Sequence, residues 1–370
     1  MDKMAKTEKK HIPLVHIVKR DQGTLTWKFK LLVRALAIAA AFLLCGVLIM
    51  LMSGANPFAA YGSMWSGVFG DKDRIWTMLK DTAMLLCVAL AVTPAFKMKF
   101  WNIGAEGQVL VGGLACAAVM MFLGGTLPLW ILLLVMMAAS VLASIIWATL
   151  PAIFKAFWNT NETLFTLMMN YVATQLVEWF LKMYVKNGSG KMDTMDEFGL
   201  PVIGGRAELL NILLIALLTV LVYVYLKYSK QGYEISVVGE SENTARYIGI
   251  NVKKVVIRTM LISGALCGVT GLLLVGGEHH MVDAETVGCR GFTAILVSWL
   301  AKFNPMYMVL TSFLVIFLEK GCNQVVTDFF EGQGTISGIV TGVVLLFIIG
   351  CEFFLQYRVV VNKNRKEAAK

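Results

Sequence analysis

Between Glu106 and Lys155 the chain carries no charged residue, and between Arg34 and Asp71 a second stretch is equally bare. Crossing a bilayer takes about 20 apolar residues. Residues 107–154 are therefore long enough for two crossings, hinged at Gly124-Gly-Thr-Leu-Pro128. In lipid every backbone N–H and C=O needs an internal partner, which leaves helices as the spanning element for runs of this kind. The rest of the composition agrees: 58% hydrophobic, 15% charged and a mean hydropathy of +0.70 describe an integral membrane protein. The fold expected is an all-α, polytopic membrane helix bundle whose first partner is the lipid bilayer.

Charges bracket the remaining spans. Segment one starts after Arg34 and ends near Ser53, where Ser-Gly-Ala-Asn-Pro breaks the helix. Tyr61, Trp65 and Phe69 then share one face of a short helix expected to lie along the interface. Later charge-free gaps run over 82–96, 163–177, 209–226, 259–277, 291–301, 303–318 and 332–351, which gives about ten segments. Several are too short to cross upright unless the charges flanking them lie in a protein interior, in a bundle core or at broken helices.

Residues 1–34 hold nine Lys and Arg, the loop 229–256 is basic, and residues 358–370 end the chain with Arg358, Lys363, Arg365, Lys366 and Lys370. Ten crossings place all three on one side, and the positive-inside rule makes that side the cytoplasm. The organisation expected is a basic N-terminal segment over 1–34, retained because no small-residue cleavage site follows it, a transmembrane domain over 35–357 with a cytoplasmic loop at 229–256, and a basic tail over 358–370. Two halves of five spans have opposite orientation, so any internal repeat is inverted. Segment three, opening with Gly104, Glu106 and Gly107, would then correspond to segment eight, opening with Gly288, Arg290 and Gly291. The net charge of +9 sits in tails and short loops, so it implies no nucleic-acid partner. Seven cysteines, an odd number lying mostly in apolar runs, read as small core residues, with Cys289 and Cys322 the two that would share the outer side.

Polar residues inside these runs are the candidates for function. Asn102, Glu106 and Gln108 stand at the mouth of segment three among the glycines at 104, 107, 112 and 113, which allow a neighbouring backbone to come close. Glu106 is expected to bond the backbone of an adjacent segment. Asn161, Glu162, Asn170, Thr174 and Gln175 open and line segment five, while Thr293, Ser298 and Trp299 lie in segment eight. In a translocation path these amides, hydroxyls and rings suit a neutral, hydroxyl-rich solute with a flat ring; as helix contacts they would be ordinary. No Arg or Lys is expected at midplane for an anionic solute. His279 and His280 with Glu278 are read as part of an outer loop, since adjacent histidines on a helix point apart.

The longest cytoplasmic connection carries Gly239-Glu-Ser-Glu-Asn-Thr-Ala-Arg-Tyr-Ile-Gly-Ile250. Ser241 is placed to cap a helix of about two turns through Glu242, Asn243, Thr244, Ala245, Arg246 and Tyr247, with Gly249 as its stop. This string, with Trp101-Asn-Ile-Gly-Ala-Glu-Gly-Gln108 and Asn161-Glu-Thr-Leu-Phe-Thr-Leu-Met-Met-Asn-Tyr171, resembles the permeases of bacterial ABC importers for nucleosides and simple sugars, of the branched-chain amino acid and ribose permease superfamily. The resemblance runs from about residue 30 to 357. It implies a permease subunit in the bacterial plasma membrane, no cofactor or metal, and no enzymatic activity of its own. ATP would be hydrolysed on two copies of a nucleotide-binding subunit, in which residues 241–247 would sit as the coupling helix. A second, different permease and an extracellular substrate-binding lipoprotein complete the assembly so implied. Nucleosides are the substrate expected, with simple sugars the alternative.

Two other classes are weaker. A proton-coupled carrier, with Glu106 or Glu162 as relay, leaves the displayed helix without a purpose. An intramembrane enzyme built on His279, His280 and Glu278 lacks a nucleophile and base placed in the membrane.

Overall fold

The structure, a computed structural model, describes residues 15–19, 27–185, 191–202, 204, 206, 208–330, a few helical positions between 338 and 350, and 357–361. Most of the expected tenth segment, 332–351, lies outside the described residues, as do 1–14, 20–26, 186–190 and 362–370. The chain divides into two compact units, residues 1–67 with 321–370, and residues 68–320.

In the first unit α1 (Trp27–Ser53) ends where the breakers predict, and α2 (Pro57–Phe69) follows. The Tyr61 hydroxyl of α2 donates to the Phe42 carbonyl of α1, the two rings meeting edge to face at 5.5 Å. Burial pushes the Tyr61 phenol above its ordinary pKa, with Cys45 adding to the shift. Trp65 stays exposed, as a helix at the interface requires. A two-stranded antiparallel ribbon, β1 (Val15–Lys19) with β2 (Tyr357–Val361), pairs Val15 with Val361 and Lys19 with Tyr357. Open strand edges do not exist in lipid, so the ribbon lies outside the hydrocarbon, with residues 15–19 and 357–361 on the same side.

The second unit is a helix bundle: α3 (Lys72–Lys97), α4 (Ala105–Leu123), α5 (Leu129–Trp158), α6 (Glu162–Tyr184), α7 (Glu208–Tyr228), the short α8 (Lys230–Glu240) and α9 (Glu242–Tyr247), α10 (Val252–Leu274), α11 (Arg290–Leu300) and α12, which starts at Pro305 and runs to Phe329. Among the described residues six helices are long and apolar enough to cross a membrane: α3, α4, α5, α7, α12, and α10 with its continuation to His279. Two of the short gaps lie within longer helices that take in charged residues. The gap 82–96 belongs to a 26-residue helix that takes in Lys80 and Asp81, and the gap 303–318 to a 25-residue helix that takes in Glu319 and Lys320.

Close packing around α10 sets the frame. Gly264 backs onto Ser144 and Ala148, Gly268 onto Ser140 and Val141, and Gly271 onto Gly112 and Gly113. A side chain at any of these would push α10 off α5 or α4, so the small residues carry the contact that lipid cannot drive. Buried hydroxyls close it: Ser140 donates to the Gly268 carbonyl, Ser144 to that of Gln108 and Ser263 to that of Ala91, each at 2.7 Å.

Two helices begin inside the bundle. The chain passes from α3 through Lys99 (φ 62°) and the irregular residues 100–104 before α4 opens at Ala105. α11 has 11 residues, about 16 Å, and is too short to cross. It runs parallel to α3, with Arg290 on Asp81 at one end and the Ser298 hydroxyl 3.1 Å from the Ala89 carbonyl further along. Asp81 lies about 14 Å along α3 from its start at Lys72, so α11 opens well inside the bundle.

Candidate functional site

The openings of α4 and α11, which the sequence pairs as counterparts, lie against each other. Glu106 joins them: its two carboxylate oxygens accept the backbone N–H groups of Cys289 at 2.9 Å and Gly291 at 2.6 Å. The first N–H groups of a helix have no partner within it, and the positive end of the helix dipole favours an anion there. Glu106 supplies both needs of α11, and Gly291 is glycine where a Cβ would run into the Glu106 backbone.

The amides at the mouth of α4 are engaged by the protein. Asn102 and Gln108, both buried, exchange side-chain hydrogen bonds of 3.1 and 3.0 Å, and the Asn102 oxygen also accepts from Gly104 N–H. From α6, Asn170 accepts from Gly107 N–H and donates to the Ile103 carbonyl, both at 2.9 Å, while the Thr166 hydroxyl accepts from Ile103 N–H. The irregular stretch thus has its freed backbone groups met by carboxamides, the arrangement that broken helices in lipid require.

Other residues expected along a path are spread over several settings. Asn161 caps α6 by accepting from Leu164 N–H, and Glu162 pairs with Lys155 at 2.9 Å. Thr174 donates to the Asn170 carbonyl within its own helix, Gln175 is exposed, and Thr293 lies 3.3 Å from the Cys289 carbonyl. Ser298 is fully buried between α11 and α3. Trp299 is exposed and stands 5.4 Å from the ring of Trp101, itself half-exposed. Cys289 is an exposed thiol in the second unit, and Cys322 is buried in the first.

The charges expected in an interior where spans are short do occur there, but their pairing into one cluster was not foreseen. Arg290 reaches Asp81 of α3 at 3.0 Å and Glu278 at 3.8 Å; Lys80 of α3 holds Glu278 at 3.0 Å; Lys320 of α12 holds Asp81 at 2.6 Å. Asp81 and Glu278 keep 4% and 7% of their side-chain surface. Glu278 projects from a π-helical turn, Val275–His279, that continues α10, and His280 ends that turn in the left-handed region at φ 52°. Basic residues therefore do lie within the bundle, each paired with acids. The adjacent Lys80-Asp81, in a helix otherwise apolar beyond it, was the available sign.

The loop 229–256 folds as two helices where one was expected. Ser229 caps α8 through Gly232 N–H, and Ser241 caps α9 through Thr244 N–H at 3.3 Å. Gly249, at φ 83°, follows α9 as its stop. Arg258 of α10 pairs with Glu234 of α8 at 2.8 Å, and Gly239 of α8 sits on the Lys97 carbonyl with no space for a side chain. Ala245 is buried, Arg246 pairs with Glu242 at 3.4 Å, and Tyr247 is 91% exposed beside exposed Ile248. A rigidly mounted base thus displays an aromatic side chain to whatever lies beyond it.

Membrane-length helices, two helices broken within the bundle and a polar helical pair mounted at one end define a multi-pass membrane transport subunit. Residues 74–349 match the family described as the branched-chain amino acid transport system permease component, and the chain belongs to that family. It is similar to the guanosine ABC transporter permease protein NupP of Bacillus subtilis (strain 168), 29% identical over 92% of this chain and 98% of that one. It is also similar to the glucose ABC transporter permease protein TsgB13 of Haloferax volcanii, 28% identical over 90% of each chain. The nucleoside ABC transporter permease protein NupB of Lactococcus lactis subsp. cremoris is 27% identical over 86% of this chain and 90% of its own.

Proposed function

We propose that this chain forms part of the membrane pathway of an ABC importer for nucleosides in a bacterial plasma membrane. It works with a second permease, two copies of a nucleotide-binding ATPase that does the hydrolysis, and an extracellular substrate-binding lipoprotein. The observation that carries the reading is the display of α9: Tyr247 is exposed on a helix whose other face, at Ala245, is buried and whose neighbour α8 is fixed to α10 by Arg258 and Glu234. A surface mounted so stiffly suits transmission of force from a soluble partner. The similarity to guanosine and nucleoside permeases supports the substrate. Simple sugars remain the second reading, favoured by the glucose permease at nearly the same identity.

A neutral solute also fits the charges, since each basic residue described at the buried cluster is paired with an acid. Proton-coupled transport is disfavoured by the partners of its two candidate relays: Glu106 holds two N–H groups and Glu162 holds Lys155. The path itself we assign to the exposed or half-buried Asn161, Glu162, Thr174, Gln175, Thr293 and Trp299, with Asn102, Glu106, Gln108, Asn170 and Ser298 supporting its wall. The test is to purify the tagged chain with its partners, reconstitute the complex with its binding protein, and measure ATP-dependent uptake of labelled guanosine, uridine, ribose and glucose. Uptake of the nucleosides alone supports the reading. Uptake of the sugars alone moves the substrate, and uptake driven by a proton gradient without ATP removes the transporter class.

A further inference from the structure

The charges around the opening of α11 fall into a balanced set, in which Asp81 and Glu278 are buried and Lys80, Arg290 and Lys320 are partly so. Lys80, Arg290 and Lys320 are the cations; Asp81, Glu278 and Glu106 are the anions. Arg290 is the hub. Its guanidinium faces Asp81 and Glu278, while the backbone N–H of the residue on either side of it is held by Glu106. Residues 289–291 thereby tie the start of α11 to α3, to α4 and to the π-helical turn after α10, and Asp81 extends the tie to Lys320 of α12. Lys80 and Asp81, adjacent on α3, diverge by about 100° around the helix and so reach different partners. α11 is too short to cross, and the set meets it at its opening.

We propose that these six residues act as one charge-neutral tie that positions α11, and that folding and transport depend on the balance of the set more than on any single member. Removing one partner of a buried pair leaves a charge without compensation in a medium that solvates it poorly, whereas removing both leaves none. Neutral replacements should therefore injure singly and rescue in pairs. A set that recognised an anionic solute, or residues that each served the substrate directly, would show losses that accumulate instead.

The experiment compares Asp81→Asn, Lys320→Met and the double variant, and likewise Lys80→Met, Glu278→Gln and their double, in the full transporter complex. Two quantities are read: the amount of assembled complex extracted from membranes, with its thermal midpoint in detergent, and the initial rate of labelled guanosine uptake per complex. The expected result is a loss of roughly tenfold or more in yield or uptake for each single variant, with each double returning to within about threefold of the parent. Doubles as impaired as their worse single, or singles that match the parent in both quantities, overturn the proposal. Yield and midpoint need no substrate, so failure of guanosine as the solute leaves this test standing.

Discussion

Replacing Glu106 probes the junction of α4 and α11 directly. Its carboxylate accepts two backbone N–H groups, at 2.9 and 2.6 Å, with one oxygen for each. Hydrogen bonds to a charged group contribute about 1.5–3 kcal/mol each, and a buried N–H left without a partner costs about 1–3 kcal/mol. Glu106→Leu loses both bonds, so about 3–6 kcal/mol is at stake, against a total stability for ordinary domains of about 5–15 kcal/mol. From sequence alone Glu106→Gln would keep most of the transport, because an amide retains an acceptor. The geometry revises that: the amide has one oxygen for two donors, and its NH2 would face the second N–H. The amide variant should therefore lose about half as much as the leucine variant, roughly 1.5–3 kcal/mol. Glu106→Asp keeps both oxygens on a shorter stem and should fall between the parent and Gln. The assay is thermal unfolding of the assembled complex followed by size-exclusion fluorescence, with solute uptake measured beside it. A Leu variant that melts with the parent and transports normally would refute the role given to this carboxylate.

Tyr247→Ala removes an exposed side chain, so the protein should insert and assemble as before while ATP-coupled uptake falls by about tenfold; unchanged uptake per complex counts against α9 as the coupling element. Ala245→Glu differs in kind: Ala245 is fully buried, and a charge there should dislodge α9 and reduce assembly itself, seen as loss of ATPase copurification. Asn102→Ala strips Gln108 and Gly104 N–H of partners and should cost about 1–3 kcal/mol, read as a lowered thermal midpoint; Asn102→Asp keeps the acceptor for both and should recover part of the loss, while adding Gln108→Glu removes the last donor of the pair and should cancel that recovery. Among the described cysteines Cys289 alone is exposed, so a water-soluble maleimide should label the native complex there and Cys289→Ser should remove most of the label; labelling that persists would place water elsewhere in the bundle.

Much of the fold was legible because lipid restricts the answers. Apolar runs free of charge had to be helices, and the ends of α1 at Ser53 and α9 before Gly249 follow from Ser-Gly-Ala-Asn-Pro and from a glycine at φ 83°. The bond between Glu106 and a neighbouring backbone was legible for the same reason: a carboxylate there needs donors, and broken helix ends provide them. Individual partners were not legible. Which carboxamide meets which peptide group depends on the contact of α4 with α6, 63 residues apart in the chain for Gly107 and Asn170. α8 escaped notice because its 11 residues mix polar with apolar side chains and include Gly232 and Gly239, poor helix formers that read as loop.

The buried charges show why a reading by hydropathy has a limit at this bundle. Taken singly, Lys80, Asp81, Glu278, Arg290 and Lys320 each look like the edge of a span, since an isolated charge belongs at the water boundary. Taken together they are pairs, and a pair with few exposed atoms can lie where neither member could alone. Pairing is a property of the tertiary fold: Asp81 and Lys320 meet only because α12 runs antiparallel to α3, bringing Met308 beside Thr93 at one end and Lys320 beside Asp81 at the other. Charge used as a boundary marker therefore shortened α3 and α12. The same charges, recognised as complementary, would have predicted their contact, because three cations and three anions inside one apolar bundle have few other neutral arrangements.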